Sequence, residues 1–236
     1  MAFDDIRAVL FDKDGTLFDF AASWSGWAQT MLLDLAGGNP TRASAMADVL
    51  EFDLQAARFA PSSPVIAGTL DEQVRLLAPL VPEMSRDGLV AYLHRSASEA
   101  RMVSAVPLAP LLDGLRQAGL VLGVATNDGE APARVHLARA GVTEHFAQVL
   151  GYDSGFTPKP APDMLLGFAA RAGLAPRHVV RVGDSTHDLI AGRAAGMATV
   201  GVLTGLAPPD VLHPHADVVV PDIGHLPALL AQAVKL

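Results

Sequence analysis

From about residue 105 onward, short apolar runs alternate with longer stretches of helical period, each of which closes on a glycine. The runs have the length and β-branched content of strands buried on both faces. They are LVLGVA (120 to 125), AQVLG (147 to 151), HVVRVG (178 to 183), ATVGVL (198 to 203) and ADVVV (216 to 220). An earlier run, residues 7 to 11, belongs to the same class. Alternating strands and helices predict an α/β fold with an open, doubly wound, mostly parallel sheet.

The stretches between these strands predict the crossover helices. They are LAPLLDGLRQAG, EAPARVHLARAG, PDMLLGFAARAG and DLIAGRAAG, which close on Gly119, Gly141, Gly173 and Gly196. Glycine at that place is typical of a helix that ends in a left-handed residue. The strands of such a sheet end on one edge, and ligands bind beyond that edge. The polar residues that directly follow each strand are therefore the candidates for chemistry.

Residues 19–104 interrupt this alternation with helical periods and no convincing strand. The helical stretches are WSGWAQTMLLDLAG, TRASAMADVLEFDLQAARF, LDEQVRLLAPLV and RDGLVAYLHRSASEARM. The pattern predicts two domains, an α/β core of residues 1–18 and 105–236 and an inserted helical cap of residues 19–104. Because the cap leaves from the loop after the first strand, we expect it to lie over the ligand-binding edge.

Composition and charge narrow the partners that the chain can have. The 236 residues are 50% hydrophobic, and 25 acidic against 17 basic residues give a net charge of −8. A negative chain without a basic block disfavours nucleic acid. The lack of cysteine excludes disulfides, thiolate metal sites and cysteine nucleophiles. The acidic start MAFDDIRAV, and apolar runs well short of the roughly 20 residues that span a bilayer, predict a soluble, cytoplasmic protein. Its oligomeric state is left open between monomer and homodimer.

Two aspartates one residue apart follow the first strand in AVLFDKDGTLFD, residues 8 to 19. Side chains at positions i and i+2 of an extended segment point the same way, so Asp12 and Asp14 can reach one reacting centre. One carboxylate can attack phosphorus, while the other protonates the leaving oxygen and later deprotonates water. Lys13 points away from both on the same reasoning and is interpreted as structural. The alternative is a turn whose acids face water.

Further polar residues follow the later strands and should meet the two aspartates at one edge. They are Thr126, Asn127 and Asp128 after LVLGVA, Lys159 in the loop FTPKPAPD, and Asp184, Ser185 and Asp188 after HVVRVG. Carboxylates this close repel one another unless a hard cation neutralises them, and oxygen ligands favour Mg²⁺. A lysine and a threonine hydroxyl beside that cation form a phosphate site.

Some of these residues also have a structural interpretation. Asp188 at the start of a helix suits capping as well as metal binding, so both roles stay open. Asn127 and Asp128 suit loop capping as well as contact with phosphate. His187 is interpreted as a bystander.

Substrate specificity is expected to come from the cap. The loop FAPSSPVIAGT, residues 59–69, has the small and proline residues of a rigid loop that can dip into the cleft. Arg58 precedes it and is the candidate contact for a substrate carboxylate, against the alternative of a solvated arginine. Trp24 and Trp27, three residues apart on a helix, are interpreted as core packing.

Four segments resemble, in order and along the whole core, the four motifs of the haloacid dehalogenase superfamily. They are DKDGT at 12 to 16, TN at 126 and 127, Lys159 with Pro160, and GDSTHD at 183 to 188. The resemblance implies that Asp12 is the nucleophile and Asp14 the acid/base, with Thr126 and Lys159 on the phosphoryl group. It also implies Mg²⁺ bound by Asp12, Asp184 and the backbone carbonyl of Asp14, with Asp188 as a ligand or supporting residue.

The cap after the first motif, together with the second half of the chain, resembles the phosphoglycolate phosphatase branch of that superfamily. The resemblance implies a Mg²⁺-dependent phosphatase that hydrolyses a small phosphorylated metabolite, phosphoglycolate first, through an aspartyl-phosphate. Dehalogenases of the superfamily lack the second aspartate, so Asp14 disfavours them, and P-type ATPases carry membrane segments. Two alternatives stay open: a phosphomutase like β-phosphoglucomutase, which Thr16 disfavours, and a catalytically silent binding or regulatory module, which the intact motifs disfavour.

Overall fold

The computed structural model describes residues 3, 5–66 and 68–233. Residues 1, 2, 4 and 234–236 of the predicted core, and residue 67 of the predicted cap loop, lie outside the described residues. In chain order the strands are β1 (Ala8–Phe11), β2 (Phe52–Asp53), β3 (Arg58–Phe59), β4 (Val121–Ala125), β5 (Gln148–Leu150), β6 (Val179–Gly183), β7 (Ala198–Val202) and β8 (Val218–Val220).

The α-helices divide between the predicted cap and the predicted core. They are α1 (Phe20–Ala36), α2 (Pro40–Val49), α3 (Leu70–Leu77), α4 (Arg86–Glu99), α5 (Leu108–Gln117), α6 (Glu130–Arg139), α7 (Asp163–Arg171), α8 (Thr186–Ala194), α9 (Pro209–Leu212) and α10 (Leu226–Ala233). The four glycines predicted to end the crossover helices all lie in the left-handed region, as Gly119 does at φ 84°. None of the described helices is long and apolar enough to cross a membrane.

Six strands form one parallel sheet in the order β5-β4-β1-β6-β7-β8. The central strand β1 is buried along its whole length. Val9 and Phe11 join one hydrophobic cluster, while Ala8 and Leu10 join a second cluster. Since alternate side chains of a strand point to opposite faces, these clusters cover the two faces of the sheet. The predicted doubly wound, mostly parallel α/β fold is confirmed.

The cap contains a short β-hairpin, so the expectation of a cap without strands was wrong. Helix α2 ends at Val49, and β2 pairs antiparallel with β3, with Phe52 opposite Phe59. The Asp53 side chain accepts hydrogen bonds from two backbone N–H groups of the connecting turn. Two aromatic residues that fit a helical period instead pack across the hairpin, with ring centroids 4.7 Å apart. The local turn therefore outweighed the helical pattern predicted for residues 41–59.

Residues between Phe20 and Ala100 bury a hydrophobic cluster of their own. The two clusters of the sheet draw their buried members from outside that range. This separation agrees with the predicted division into a cap of residues 19–104 and a core, whose boundaries stay a prediction.

Candidate active site

The loops that follow β1, β4 and β6 meet at one edge of the sheet because β1 lies between the other two strands. They bring together Asp12, Thr126 and Asp184, all of them buried. Lys159 reaches the same place from the loop that precedes α7, and it too is buried. The side chains predicted from the ends of the strands therefore converge as expected on a cleft between core and cap.

Three buried carboxylates face two buried cations at the base of the cleft. Oxygens of Asp12, Asp184 and Asp188 all lie within 4.8 Å of one another. The Lys159 ammonium is 2.6 Å from a carboxylate oxygen of Asp12 and 2.6 Å from one of Asp188. The Arg181 guanidinium lies 2.6 Å from the same Asp188 oxygen. With all five groups ionised, the cluster carries one uncompensated negative charge.

The surroundings of each carboxylate determine which of the three is costly to ionise. Burial raises the pKa of Asp12 to about 6, although Lys159 opposes the shift. Burial also raises the pKa of Asp184 well above its usual value, and the neighbouring carboxylates Asp188 and Asp12 add to the effect. For Asp188 burial acts in the same direction, but Lys159 and Arg181 together hold its pKa far below the usual range. A bound cation would therefore stabilise chiefly the ionised forms of Asp12 and Asp184.

Asp184 has the features of a metal ligand. One of its oxygens lies 3.3 Å from the Thr16 hydroxyl, which donates to it, whereas Oδ2 is buried without a hydrogen-bond partner among the residues that the structure describes. An unpartnered buried carboxylate oxygen is costly, and an all-oxygen donor set suits a hard divalent cation. The residues present thus fit Mg²⁺, which Asp12, Asp184 and the backbone carbonyl of Asp14 would hold.

Asp188 has both of its oxygens bound by protein groups. Lys159 and Arg181 contact Oδ1, and Ser185 donates to Oδ2 from its backbone N–H at 3.2 Å and from its hydroxyl at 2.7 Å. This arrangement favours the supporting role that the sequence left open, in which Asp188 holds Lys159 in place. Its alternative role as a metal ligand stays a prediction.

Two glycines make room for the Asp184 carboxylate. A Cβ atom on Gly205 would lie 1.8 Å from Asp184 Oδ2, and one on Gly15 would lie 2.2 Å from the same atom. Gly15 also has a φ of 76°, which disfavours any other residue. The position of Asp184 therefore depends on a residue 21 places further along the chain, in the loop after β7.

Asn127 is bound to the backbone of Lys159. Its amide nitrogen donates to the Lys159 carbonyl at 2.9 Å, and its amide oxygen accepts from the Lys159 N–H at 3.0 Å. The neighbouring Thr126 hydroxyl accepts from the N–H of Asp128 at 3.1 Å. Asn127 therefore positions the lysine, in addition to the contact with phosphate that stays a prediction for Thr126, Asn127 and Lys159.

The interpretation of Lys13 as pointing away from its neighbours was wrong. Its buried ammonium is 2.8 Å from the Asp14 carboxylate, 3.0 Å from that of Asp128 and 3.1 Å from Nδ1 of His136. The chain turns directly after Asp12, with Gly15 in the left-handed region, so the alternation of an extended strand no longer applies. Lys13 thus fixes the carboxylate of the predicted acid/base.

A histidine of the core links this lysine to the cap. Burial and the Lys13 charge lower the pKa of His136, so its ring is neutral. Nδ1 then accepts from Lys13, and Nε2 donates to the Ala97 carbonyl at 2.9 Å. Arg139, one turn along α6, donates to the next carbonyl, that of Ser98. The last turn of α4 therefore rests on α6 beside the site.

Trp24 and Trp27 pack in the cap as predicted, but they also line the cleft. The Trp24 indole N–H donates to Asp14 at 2.8 Å, whereas the Trp27 indole N–H donates to the Ser96 hydroxyl at 3.3 Å. Trp24 thereby connects the cap to the predicted acid/base, a role that spacing along the helix does not reveal.

The remaining cap residues at the cleft are mostly apolar. The cap side is lined by Phe20, Trp24, Trp27, Val65, Ile66, Gly68, Leu70, Gln73, Leu93 and Ala97. The loop 59–69 thus reaches the cleft as expected. Arg58 is exposed on β3 and is not among the described lining residues, so its contact with substrate stays a prediction. His187, interpreted as a bystander, lines the core side.

Comparison with known proteins places this site in a family. The model of the haloacid dehalogenase-like hydrolase family matches residues 6–196. The chain belongs to this family. The haloacid dehalogenase-like chain is 30% identical to the phosphoglycolate phosphatase of Escherichia coli (strain K12). The alignment, 250 positions long with its gaps, covers 94% of each protein. The chain is 36% identical to the phosphoglycolate phosphatase of Xanthomonas campestris pv. campestris (strain 8004) over 216 residues, 91% of each.

Solved structures share the fold of this haloacid dehalogenase-like hydrolase at lower identity. A predicted phosphoglycolate phosphatase from Haemophilus somnus 129PT superposes with a TM-score of 0.73 at 20% identity, covering 95% of this chain and 98% of its own. A hydrolase of the family from Deinococcus radiodurans R1, with bound phosphate and sodium, superposes with a TM-score of 0.67 at 23% identity. The superposition covers 99% of this chain and 97% of the Deinococcus chain. The resemblance inferred from the four motifs is confirmed, as is the enzyme class, a phosphoric monoester hydrolase.

Proposed function

We propose that this hydrolase is a cytoplasmic, Mg²⁺-dependent phosphatase that cleaves a small-metabolite phosphomonoester through an aspartyl-phosphate on Asp12. The observation that carries the proposal is the arrangement at the base of the cleft. Asp12 lies against Lys159 and beside Asp184, whose Oδ2 is buried and unpartnered. A candidate nucleophile, an ammonium for phosphate and a buried carboxylate oxygen without a described protein partner thus occur together.

The first half of the reaction forms the covalent intermediate. A carboxylate oxygen of Asp12 attacks phosphorus, the bond from phosphorus to the leaving oxygen breaks, and the Asp14 carboxyl gives its proton to that oxygen. In the second half Asp14 takes a proton from water, whose oxygen attacks phosphorus and breaks the bond to Asp12. Inorganic phosphate leaves, and both aspartates return to their starting states.

The other residues supply charge and orientation. In this proposal Lys159 and the Thr126 hydroxyl donate to phosphoryl oxygens. The contacts of Asp188 and Asn127 with Lys159 support its role, because they hold the lysine. Mg²⁺, when bound by Asp12, Asp184 and the Asp14 carbonyl, supplies positive charge against the phosphoryl oxygens. The cap closes over the substrate and excludes bulk water while Asp12 attacks phosphorus.

The proposal is tested by phosphate release from a panel of phosphomonoesters that includes phosphoglycolate, sugar phosphates and an aryl phosphate, with Mg²⁺ and with a chelator. We expect release that requires Mg²⁺. Phosphoglycolate belongs in the panel because the curated relatives carry its name. No release from a folded protein would contradict the phosphatase proposal, and accumulation of an isomeric phosphate would identify a phosphomutase instead.

Substitution of Trp24 by phenylalanine tests the link between cap and acid/base. Trp24→Phe keeps a ring but removes the donor to Asp14. A hydrogen bond to a charged group contributes about 1.5 kcal/mol or more, so we expect kcat for an alkyl phosphate to fall about tenfold. An aryl phosphate with a good leaving group needs little protonation and should lose much less.

The matched control is Trp27→Phe, because the Trp27 indole donates to Ser96 rather than to Asp14. Trp27 also lines the cleft, so its replacement can change KM, but the ratio of alkyl to aryl kcat should stay at the wild-type value. An equal loss on both substrates in Trp24→Phe, or the same change of ratio in Trp27→Phe, would show that Trp24 acts only through packing.

A further inference from the structure

The cap side of the cleft presents no charged side chain among the residues that the structure describes. Its members are aromatic or aliphatic, apart from Gly68 and Gln73. The two indole N–H groups are already used, one on Asp14 and the other on Ser96. Within the described lining of the cap, the side chain of Gln73 is thus the polar group left to face a substrate.

The backbone near these cap residues offers few further hydrogen-bond donors to an anion. Helix α3 begins at Leu70, which lines the cleft, but its first turn already carries Asp71 and Glu72. The Glu72 carboxylate accepts from the N–H of Thr69 at 2.7 Å. These acids satisfy and offset the positive end of the helix, so they repel a further carboxylate.

Neither lysine on the core side of the cleft is available to the leaving group. The remaining basic side chain of the described core lining, His187, lies in the first turn of α8 on the core wall rather than at the cap. The Lys159 ammonium contacts Asp12 and Asp188 at the phosphoryl end of the cleft. Lys13 is fully buried between Asp14 and Asp128. A leaving group with a carboxylate would therefore place it against apolar cap residues, where an unpaired charge is costly.

We infer that the substrate of this site is a phosphomonoester of an uncharged, largely apolar alcohol, either aryl or alkyl. Any polar group on that alcohol is small enough for the Gln73 amide alone to hydrogen-bond it. The inference rests on the proposed phosphatase function and departs from phosphoglycolate, whose carboxylate would lie at the cap. The phosphoryl group occupies the polar base of the cleft, and the organic part packs against side chains such as Trp27, Ile66 and Leu93.

The test compares kcat/KM, with Mg²⁺, for phenyl phosphate and 4-carboxyphenyl phosphate. The two esters share a ring and differ by one charge, and their phenols leave with similar ease. We expect the carboxylated ester to be poorer by at least about tenfold, since one uncompensated charge costs more than about 1.4 kcal/mol. Phosphoglycolate should likewise be poorer than ethyl phosphate.

The outcomes separate this inference from the proposed function. Hydrolysis of phenyl phosphate with equal or faster hydrolysis of the carboxylated ester would leave the phosphatase proposal standing and overturn the inference. Failure to hydrolyse any of the four esters would overturn both.

A pair of variants shows whether the discrimination arises at the cap rather than from the overall negative charge. Gln73→Arg places a cation at the lining and should improve 4-carboxyphenyl phosphate relative to phenyl phosphate by about tenfold, the value of restoring one charge partner. Gln117→Arg adds the same charge at an exposed site at the end of α5 and should leave the ratio unchanged. An unchanged ratio in a folded Gln73→Arg protein, or the same shift in both variants, would contradict the inference.

Discussion

Replacement of Asp12 by asparagine is expected to lower phosphate release by at least about 10³-fold, because an amide cannot form the acyl phosphate. The remaining contacts of the site stay in place, since Lys159 keeps its 2.6 Å contact with Asp188. Single-turnover assays with the best ester of the panel measure the loss. A covalent phosphate trapped on the wild-type protein should be missing from Asp12→Asn.

The same substitution should not unfold the protein. Burial raises the pKa of Asp12 to about 6, so the metal-free native state holds the proton more tightly than the unfolded chain does. Ionisation of Asp12 then destabilises the native state as the pH rises through about 6. Asparagine removes that cost, so the stability of Asp12→Asn relative to wild type should increase between about pH 4 and about pH 6 and level off at higher pH when a chelator is present.

An exposed acid provides the control for this experiment. Asp210→Asn makes the same chemical change at an exposed residue in the first turn of α9, which is not among the described residues that line the cleft. It should keep full activity and show no comparable pH dependence. Full activity in Asp12→Asn would sink the mechanism, and loss of its folded structure would show that the carboxylate is structural.

The sequence predicts the sheet and the convergence of the site because both depend on local patterns. Strands buried on both faces appear as short apolar runs, and the residue after such a run lies at the ligand-binding edge. Asp12, Thr126 and Asp184 each follow a strand in this way, so parallel order alone brings them together. Their separation along the chain is no obstacle, since the edge is shared by all strands of the sheet.

Contacts that do not follow from the shared edge of the sheet were not predicted. Arg181 lies in the apolar run HVVRVG, where its charge is hidden within a strand pattern. A charged residue in a fully buried strand needs a partner, and this signal would have pointed to Asp188 seven places on. Gly205 and Trp24 offer no such signal, because their importance comes from the distance to Asp184 and Asp14 in space.

The turn after β1 shows a second limit of prediction from sequence periodicity. Lys13 was placed by the alternation of an extended strand, but the backbone had already turned, so the side chain lies with Asp14 rather than opposite it. The cap hairpin arose from the same cause, because the side chain of Asp53 closes a turn where a helical period continued. Periodicity predicts elements well and fails where one polar side chain redirects the backbone.

Replacement of Asp184 by asparagine is expected to abolish both Mg²⁺-dependent activity and stabilisation by Mg²⁺. A ligand present at about 100 times its Kd stabilises a protein by about 2.7 kcal/mol, which raises Tm by several degrees in a chain of this size. Wild type should show this rise when Mg²⁺ is added to the chelator-treated protein, and Asp184→Asn should not. Asp210→Asn is again the control.

Gly205→Ala tests the same site while keeping every carboxylate. The added methyl group would lie 1.8 Å from Asp184 Oδ2, so the side chain must move. We expect weaker Mg²⁺ binding and lower activity, partly restored at high Mg²⁺ concentration, which a general loss of folding would not allow. Unchanged Mg²⁺ dependence in both variants would exclude Asp184 as a ligand.

The raised pKa of Asp184 also sets the direction of the pH dependence of metal binding. A coordinating carboxylate must be ionised, whereas burial and the neighbouring carboxylates favour its protonated form in the metal-free protein. Binding of Mg²⁺ therefore releases a proton, and the apparent affinity should fall as the pH is lowered. Calorimetric titrations in two buffers of different ionisation enthalpy measure that proton directly. Binding of Mg²⁺ to the wild-type protein without release of a proton would contradict the assignment of Asp184 as a ligand that is protonated in the metal-free protein.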